Sequence, residues 1–136
     1  MALLDSIAVV VHVLFAGLWT GAVAYAAAIA MDADRLGDGG RELVADRLKN
    51  ISRTSAVAML LSGGYLAGAY GGGYFMNTTR GLLLSAMVVL WLVLMVTVEL
   101  GAGRLTKGEG GAKGTLLVAA AVAILLLLDA GVVSVL

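Results

Sequence analysis

Two ionisable residues lie within otherwise uncharged, apolar stretches of the sequence. His12 is the only histidine, and Asp129 is the only charged residue between position 114 and the last residue given. Ionisable side chains inside a membrane span are costly and by default indicate function. At about 1.5 Å per helical residue, both lie about 10 Å from the same end of their stretches. Met87 and Tyr70 fall near that level, so the sequence predicts one layer that holds an imidazole, a carboxylate, a thioether and a phenol.

Three kinds of chemistry suit this predicted layer, and the sequence leaves all three open. His12 and Asp129 could form a structural pair in which each satisfies the other in an apolar environment. The same pair could relay protons, with the imidazole titrating and the carboxylate tuning it. Alternatively, His12, Met87 and Asp129 could bind copper, because imidazole is a copper ligand and thioether favours Cu(I).

The sequence lacks the motifs of common soluble enzymes. It contains no Walker loop, no zinc-protease helix and no serine-hydrolase elbow. The absence of cysteine excludes a disulfide framework, a thiol nucleophile and a cysteine-based metal site. We therefore expect a protein that is not an enzyme and has no catalytic residue.

The composition indicates an integral membrane protein. Of the 136 residues, 61% are hydrophobic and 13% are charged, whereas soluble domains average about 45–50% and about 25%. The nine basic and nine acidic residues cancel, so no basic excess indicates a nucleic-acid partner. The lipid bilayer is the expected environment.

Four apolar stretches are long enough to cross a bilayer, which takes about 20 residues. We predict an all-α bundle of four transmembrane helices in a single membrane domain over 1–136. The predicted spans are about 6–31, 54–76, 81–99 and 114–136, joined by cytoplasmic connections at 32–53 and 100–113.

The basic residues predict the orientation of these spans. Eight of the nine lie in 32–53 and 100–113, and only Arg80 lies on the opposite side. By the positive-inside rule both termini should be outside the plasma membrane of a prokaryote. Asp38-Gly39-Gly40 should break the chain, and residues 41–53 should form a short amphipathic cytoplasmic helix that precedes the second span or is continuous with it.

Small and aromatic residues inside the spans predict how the helices associate. Gly17 lies four residues before Gly21 in the first span, and Gly64, Gly68 and Gly72 repeat this GxxxG spacing in the second. Such faces let helices approach closely. We expect them to join helices 1 and 2 within one chain or to build a homo-oligomer.

Three aromatic residues fall near the middle of their spans rather than at the membrane interfaces. Trp19, Tyr65 and Trp91 predict an aromatic layer at the midplane, with polar tips bonded to hydroxyl groups such as those of Thr20, Ser62 or Ser85. They could fill space in a bundle rich in alanine and glycine, or they could line a pocket.

The first span also contains a recognisable pattern, His12-x6-Trp19-x-Gly21. This pattern resembles the opening helix of the CopD-like membrane proteins, which are associated with copper resistance or uptake. The HemJ-type protoporphyrinogen oxidases begin with a similar histidine and tryptophan. Ser52-Arg53, Leu61-Ser62-Gly63-Gly64 and Arg80 extend the resemblance through the third span.

The resemblance implies that His12 is a metal or haem ligand and that Trp19 and Gly21 shape helix 1. Because the chain has no second histidine, a bis-histidine site would need a pair of His12 residues across an oligomer interface. We expect copper handling or transport through an outward-facing site around His12, with room for an unidentified membrane or periplasmic-side partner. The alternatives are a structural, oligomeric subunit with a His12–Asp129 packing pair, and a small haem-binding redox protein. No other cofactor is expected.

Overall fold

The computed structural model describes residues 3–136, and these residues form helices without any strand. The prediction of an all-α fold is therefore confirmed for this part of the chain. The helices are α1 (Leu3–Ala30), α2 (Gly37–Ala67), α3 (Gly72–Asn77), α4 (Thr79–Thr106) and α5 (Ala112–Val135), with a 3-10 turn over Ala33–Arg35 between α1 and α2.

The four long helices form a ring. α1 packs against α2 and α5, and α4 also packs against α2 and α5, while the short α3 lies on α4. Because the connections are short, neighbouring helices run antiparallel, as in an up-down-up-down bundle. α1 and α4 therefore end where α2 and α5 begin. We call this end the basic end, because it carries the basic residues of the two predicted cytoplasmic connections, and we call the other end the terminal end.

Three helices, α1, α4 and α5, are long and apolar enough to cross a membrane. The fourth, α2, differs because its first half carries charged residues, and its uncharged part from Thr54 to Ala67 has about 14 residues. At about 1.5 Å per residue this part measures about 21 Å, less than the roughly 30 Å of a bilayer core. The structure thus contains three span-length apolar helices and a shorter apolar segment in α2.

The predicted span 54–76 is not one continuous helix. α2 ends at Ala67, and the chain re-enters a helix only at Gly72 in α3. Glycine has a high conformational entropy and a low helix propensity, so Gly68 and the Gly71–Gly73 run favour an interruption here.

The predicted amphipathic helix over 41–53 is part of α2, which continues without a break from Gly37 to Ala67. The expected interruption at Asp38-Gly39-Gly40 is wrong, because these residues are already helical. The chain turns instead at Gly37, whose φ of 65° lies in the left-handed region that glycine tolerates. Ala45 and Leu48 are buried while Asp46 and Arg47 are exposed, so this half of α2 is amphipathic as predicted.

The connection predicted over 100–113 is shorter than expected. α4 continues to Thr106, α5 begins at Ala112, and Gly108 turns the chain with a φ of 69°. At the other end of α4, Gly81 packs so closely against α3 that a Cβ atom there would lie 2.0 Å from the carbonyl oxygen of Tyr74. This contact fixes α3 on α4.

The buried side chains are concentrated in the half of the bundle nearest the basic end. There Gly101 packs directly on Leu116, where a Cβ would approach to 2.7 Å. Towards the terminal end fewer side chains are buried. The largest fully buried side chains are Trp19, Leu94, Leu105, Leu116, Val23 and Val98.

Candidate functional site

Three polar contacts join α1 to α2, and we call this row the polar seam. The hydroxyl of Tyr65 donates to Asp5 Oδ1 at 3.1 Å. His12 Nδ1 lies 2.9 Å from Ser62 Oγ, and Trp19 Nε1 donates to Ser52 Oγ at 2.9 Å. The three α1 residues are spaced seven apart, so they lie along one side of the helix. The heptad spacing explains why all three face α2.

The hydrogen bonds around His12 determine which ring nitrogen carries the proton. The single hydroxyl proton of Ser62 is donated to the carbonyl oxygen of Ala58 at 2.7 Å. From this network we infer that Ser62 Oγ accepts from His12, so that Nδ1 carries the hydrogen of the neutral imidazole. Nε2 is then left with its lone pair, which can bind a metal ion or accept a proton.

The α2 backbone is shaped to receive the imidazole. A Cβ at Gly63 would lie 3.0 Å from His12 Cε1, so a larger residue would push the ring away. The imidazole is also within hydrogen-bonding reach of the backbone of Met59, whose side chain packs against the core. These contacts hold His12 against α2.

Trp19 belongs to the core rather than to a pocket. Its side chain is 1% exposed, and its indole bonds to Ser52, which is 2% exposed. Tyr65 is 50% exposed and pairs with Asp5. Asp5 lies two heptads from Trp19 along α1, so Tyr65 and Trp19 are at different levels. The expected single aromatic layer at the midplane is therefore wrong. Trp91 is half-buried, with no hydrogen-bond partner for its indole nitrogen among residues 3–136.

Asp129 does not pair with His12. Both of its carboxylate oxygens are buried and have no hydrogen-bond partner within residues 3–136, while His12 is bonded to Ser62. The expected His12–Asp129 pair is wrong because the heptad face of α1 that carries His12 is turned towards α2, and Asp129 lies on α5.

The depth predicted for Asp129 agrees with the register of the helices. The Arg53–Glu99 contact aligns α2 with α4, and Arg104 donates to Thr115 across α4 and α5 at 2.6 Å. These two contacts relate the levels of residues on α2, α4 and α5. Counted at about 1.5 Å per residue, they place Asp129 close to the level of Ser62, and therefore close to the level of His12, which contacts Ser62.

Tyr70 takes another place in the bundle. Tyr70 stacks on Tyr74 with 4.5 Å between the ring centroids and meets the edge of Phe75. Met87 lies on α4, which packs mainly against α2 and α5. Among the residues that the structure describes, no three histidine, aspartate or glutamate side chains converge as a metal site. The ligand set of His12, Met87 and Asp129 thus remains a prediction from residue chemistry.

The GxxxG glycines do not join α1 to α2 within the chain. A Cβ placed at Gly17, Gly21, Gly64 or Gly72 would meet nothing within 4 Å, and at Gly68 it would meet only carbonyl groups of its own helix. The expectation of close packing within one chain is therefore wrong. These residues leave open faces on the outside of the bundle.

A cavity of about 440 Å³ opens at the terminal end of the polar seam. It begins beside the Asp5–Tyr65 pair, one heptad or about 10 Å from His12 along α1. Asp5 gives this opening an acidic group. The cavity is lined by Asp5, Tyr65, Leu66, Gly68, Ala69 and Tyr70.

A bidentate ion pair joins α2 to α4 towards the basic end. Arg53 Nε and Nη2 donate to the two carboxylate oxygens of Glu99 at 2.8 and 3.0 Å. The hydrogen bond to Glu99 raises the pKa of Arg53 above its ordinary value. This contact aligns the two helices and is exposed, so it contributes little stability.

Sequence reasoning named Ser62 as a possible partner of an aromatic residue, but it did not predict the pairs His12–Ser62 and Trp19–Ser52. Serine is uncharged and common in membrane helices, so its residue type alone does not indicate its partner. The seven-residue spacing of Asp5, His12 and Trp19 was the available signal, because it predicts one polar face on α1. Comparison of the chain with family models, curated proteins and solved structures gives no match.

Proposed function

We propose that the chain is a multi-pass plasma-membrane protein that handles or transports copper at an intramembrane site on His12. The hydrogen-bond chain from His12 through Ser62 to the Ala58 carbonyl carries this proposal. A histidine that binds a metal ion typically donates its other ring nitrogen to a fixed acceptor, as Nδ1 does here. The lone pair of Nε2 is the group that would take the ion.

The surroundings of His12 suit a soft, weakly hydrated cation. His12 is half-buried among the apolar helices, and imidazole is a copper ligand. A cavity with an acidic group, Asp5, opens on the terminal side, about 10 Å from His12 along α1. Asp129 and Met87 are the additional ligands that residue chemistry suggests.

One imidazole per chain makes a second copy the natural source of another nitrogen ligand. The open glycines of α1 and α2 lie on outer faces of the bundle, where small residues allow helices of two chains to approach closely. We therefore propose a homo-oligomer that uses these faces. Its formation would show as a dimer or larger species in detergent.

Copper loading tests this proposal directly. The purified protein is loaded with Cu(I) under reducing conditions and desalted, and bound metal is measured by mass spectrometry. We expect near-stoichiometric copper in the wild type and its loss in His12→Ala. The control is Val13→Ala, since Val13 is 64% exposed on the outside of the same helix. No binding by the wild type, or full binding by His12→Ala, contradicts the proposal.

A structural, oligomeric subunit is the second candidate function. The polar seam favours it, because hydrogen bonds between membrane helices commonly stabilise a bundle without further chemistry. In that case His12→Ala lowers thermal stability in detergent while the metal tolerance of cells stays unchanged. A Soret absorption band would instead indicate a haem-binding redox protein.

A further inference from the structure

A second cavity lies at the basic end of the bundle, far from the polar seam. Its volume is about 310 Å³, near the lower limit of ligand pockets in general. The last turn of α1, the first turns of α2 and α5 and the α4–α5 turn enclose it. Met31 and Leu105 form apolar parts of its wall, and Arg41 and Lys113 form cationic parts.

Arg41 is the most constrained of the charged residues in this cavity. Its side chain is 19% exposed, and it pairs with Asp38. Its Nε is buried and has no acceptor among residues 3–136. A guanidinium has five N–H donors, and a buried donor without an acceptor is costly. The chain alone therefore leaves Arg41 short of acceptors.

The α4–α5 turn holds the guanidinium in this place. Gly108, with a φ of 69°, lets the backbone pass so closely that a Cβ there would lie 3.3 Å from Arg41 Nη2. Lys113 stands in the first turn of α5, where backbone N–H groups and the helix dipole favour a negative charge. The two cations thus come from different helices and line the same space.

We propose that this cavity binds the phosphate group of a membrane phospholipid, with Arg41 and Lys113 as its cationic contacts. Arginine offers a planar set of donors that matches phosphate oxygens. The apolar wall at Met31 and Leu105 suits the adjoining part of a lipid. Basic pockets between helix ends at a membrane surface bind lipid headgroups in this manner. The proposal is independent of copper at His12.

Asp34 and Glu109 also line the cavity and Asp38 pairs with Arg41, so a phosphate group must compete with three carboxylates for the cations. Substitutions of the acids and of the cations should therefore have opposite effects on phosphate binding. Neutralising an acid in the wall strengthens phosphate binding, whereas neutralising a cation weakens it. Glu109 is the better choice, since it is exposed in the turn between α4 and α5.

Native mass spectrometry of the whole protein in detergent tests the proposal. The probe lipids are phosphatidylglycerol and diacylglycerol with the same acyl chains, of which only the first carries phosphate. We expect the wild type to retain phosphatidylglycerol, and the double variant Arg41→Gln/Lys113→Gln to retain about tenfold less. The matched control Arg47→Gln/Lys107→Gln removes two exposed charges from the same end and should retain the wild-type amount.

Four results overturn the proposal. The first is equal retention in the two double variants, and the second is equal retention of diacylglycerol and phosphatidylglycerol. The third is that inorganic phosphate alone stabilises the protein as much as the lipid does, and that this stabilisation requires Arg41. Such a result would assign the site to a free anion. Glu109→Gln should retain more lipid than the wild type, and this readout remains if the Arg41 variant fails to fold. Lower retention in Glu109→Gln contradicts the assignment.

Discussion

The hydroxyl of Ser62 controls the chemistry of His12 through one proton. Because that proton is donated to the Ala58 carbonyl, the oxygen has to accept from the imidazole. Ser62 is 7% exposed, so water has little access to this oxygen. A neutral side chain thereby decides which nitrogen of the only histidine has a free lone pair.

The tautomer of His12 can be tested by labelling this one residue. His12 is the only histidine, so ¹⁵N-histidine labelling of protein without a histidine tag gives one imidazole in the NMR spectrum. We expect the Nδ1–H tautomer in the wild type at a pH where the ring is neutral. Ser62→Ala should weaken that preference, because only the Met59 backbone is then left as an acceptor, at a stability cost of about 1 kcal/mol.

The control for this measurement is Ser134→Ala, which removes an exposed hydroxyl bonded to a carbonyl of its own helix. Its imidazole signals should match those of the wild type. An Nε2–H tautomer in the wild type would show that Ser62 does not accept from His12.

At the scale of the elements, whether a glycine allows close packing depends on its position in the bundle and not on whether it belongs to a GxxxG motif. The GxxxG residues are open, whereas Gly63, Gly81 and Gly101 lie where another backbone or side chain comes close. Gly81 has the least room, because its nearest neighbours are backbone atoms of α3 that cannot rotate away. Close contact therefore occurs outside the sequence motif that predicts it.

Gly81→Ala should detach α3 from α4. The added Cβ would lie 2.0 Å from the Tyr74 carbonyl oxygen and 2.7 Å from Phe75 Cα, and overpacking of this kind costs about 1–3 kcal/mol. Gly103→Ala is the control on the same helix, since a Cβ there meets nothing within 4 Å. Thermal unfolding in detergent should show a lower Tm for Gly81→Ala only. Equal Tm values would mean that α3 is not fixed at this contact.

At the scale of the whole molecule, the number of membrane crossings depends on α2. Three helices are long and apolar enough to cross, and α2 completes the ring with a shorter apolar part. If α2 also crosses, the two ends of the chain lie on the same side. If only α1, α4 and α5 cross, they lie on opposite sides.

The absence of cysteine allows the crossings to be counted with single substitutions. Leu4→Cys and Ser134→Cys introduce exposed thiols near the two ends, and Gly110→Cys introduces one in the α4–α5 turn. With a membrane-impermeant maleimide on intact cells, we expect labelling of Leu4→Cys and Ser134→Cys but not of Gly110→Cys. Labelling of only one terminal variant would indicate an odd number of crossings.

Sequence alone determined the features that depend on composition and chain order. The hydrophobic content and the apolar stretches predict an all-helical membrane protein, and the structure confirms the helices and three of the span-length segments. The common depth of His12 and Asp129 also follows from residue counts. These features are decided locally, because each apolar segment must satisfy its own backbone hydrogen bonds.

Tertiary structure alone decided which side chains meet. The rotation of α1 turns His12 towards Ser62 and leaves Asp129 on α5 without a hydrogen-bond partner within residues 3–136. The rotation of a helix depends on its packing against several neighbours at once, so it does not follow from the sequence of that helix alone. Here it brings the only histidine to an uncharged serine, Ser62, on the face of α2 that contacts α1.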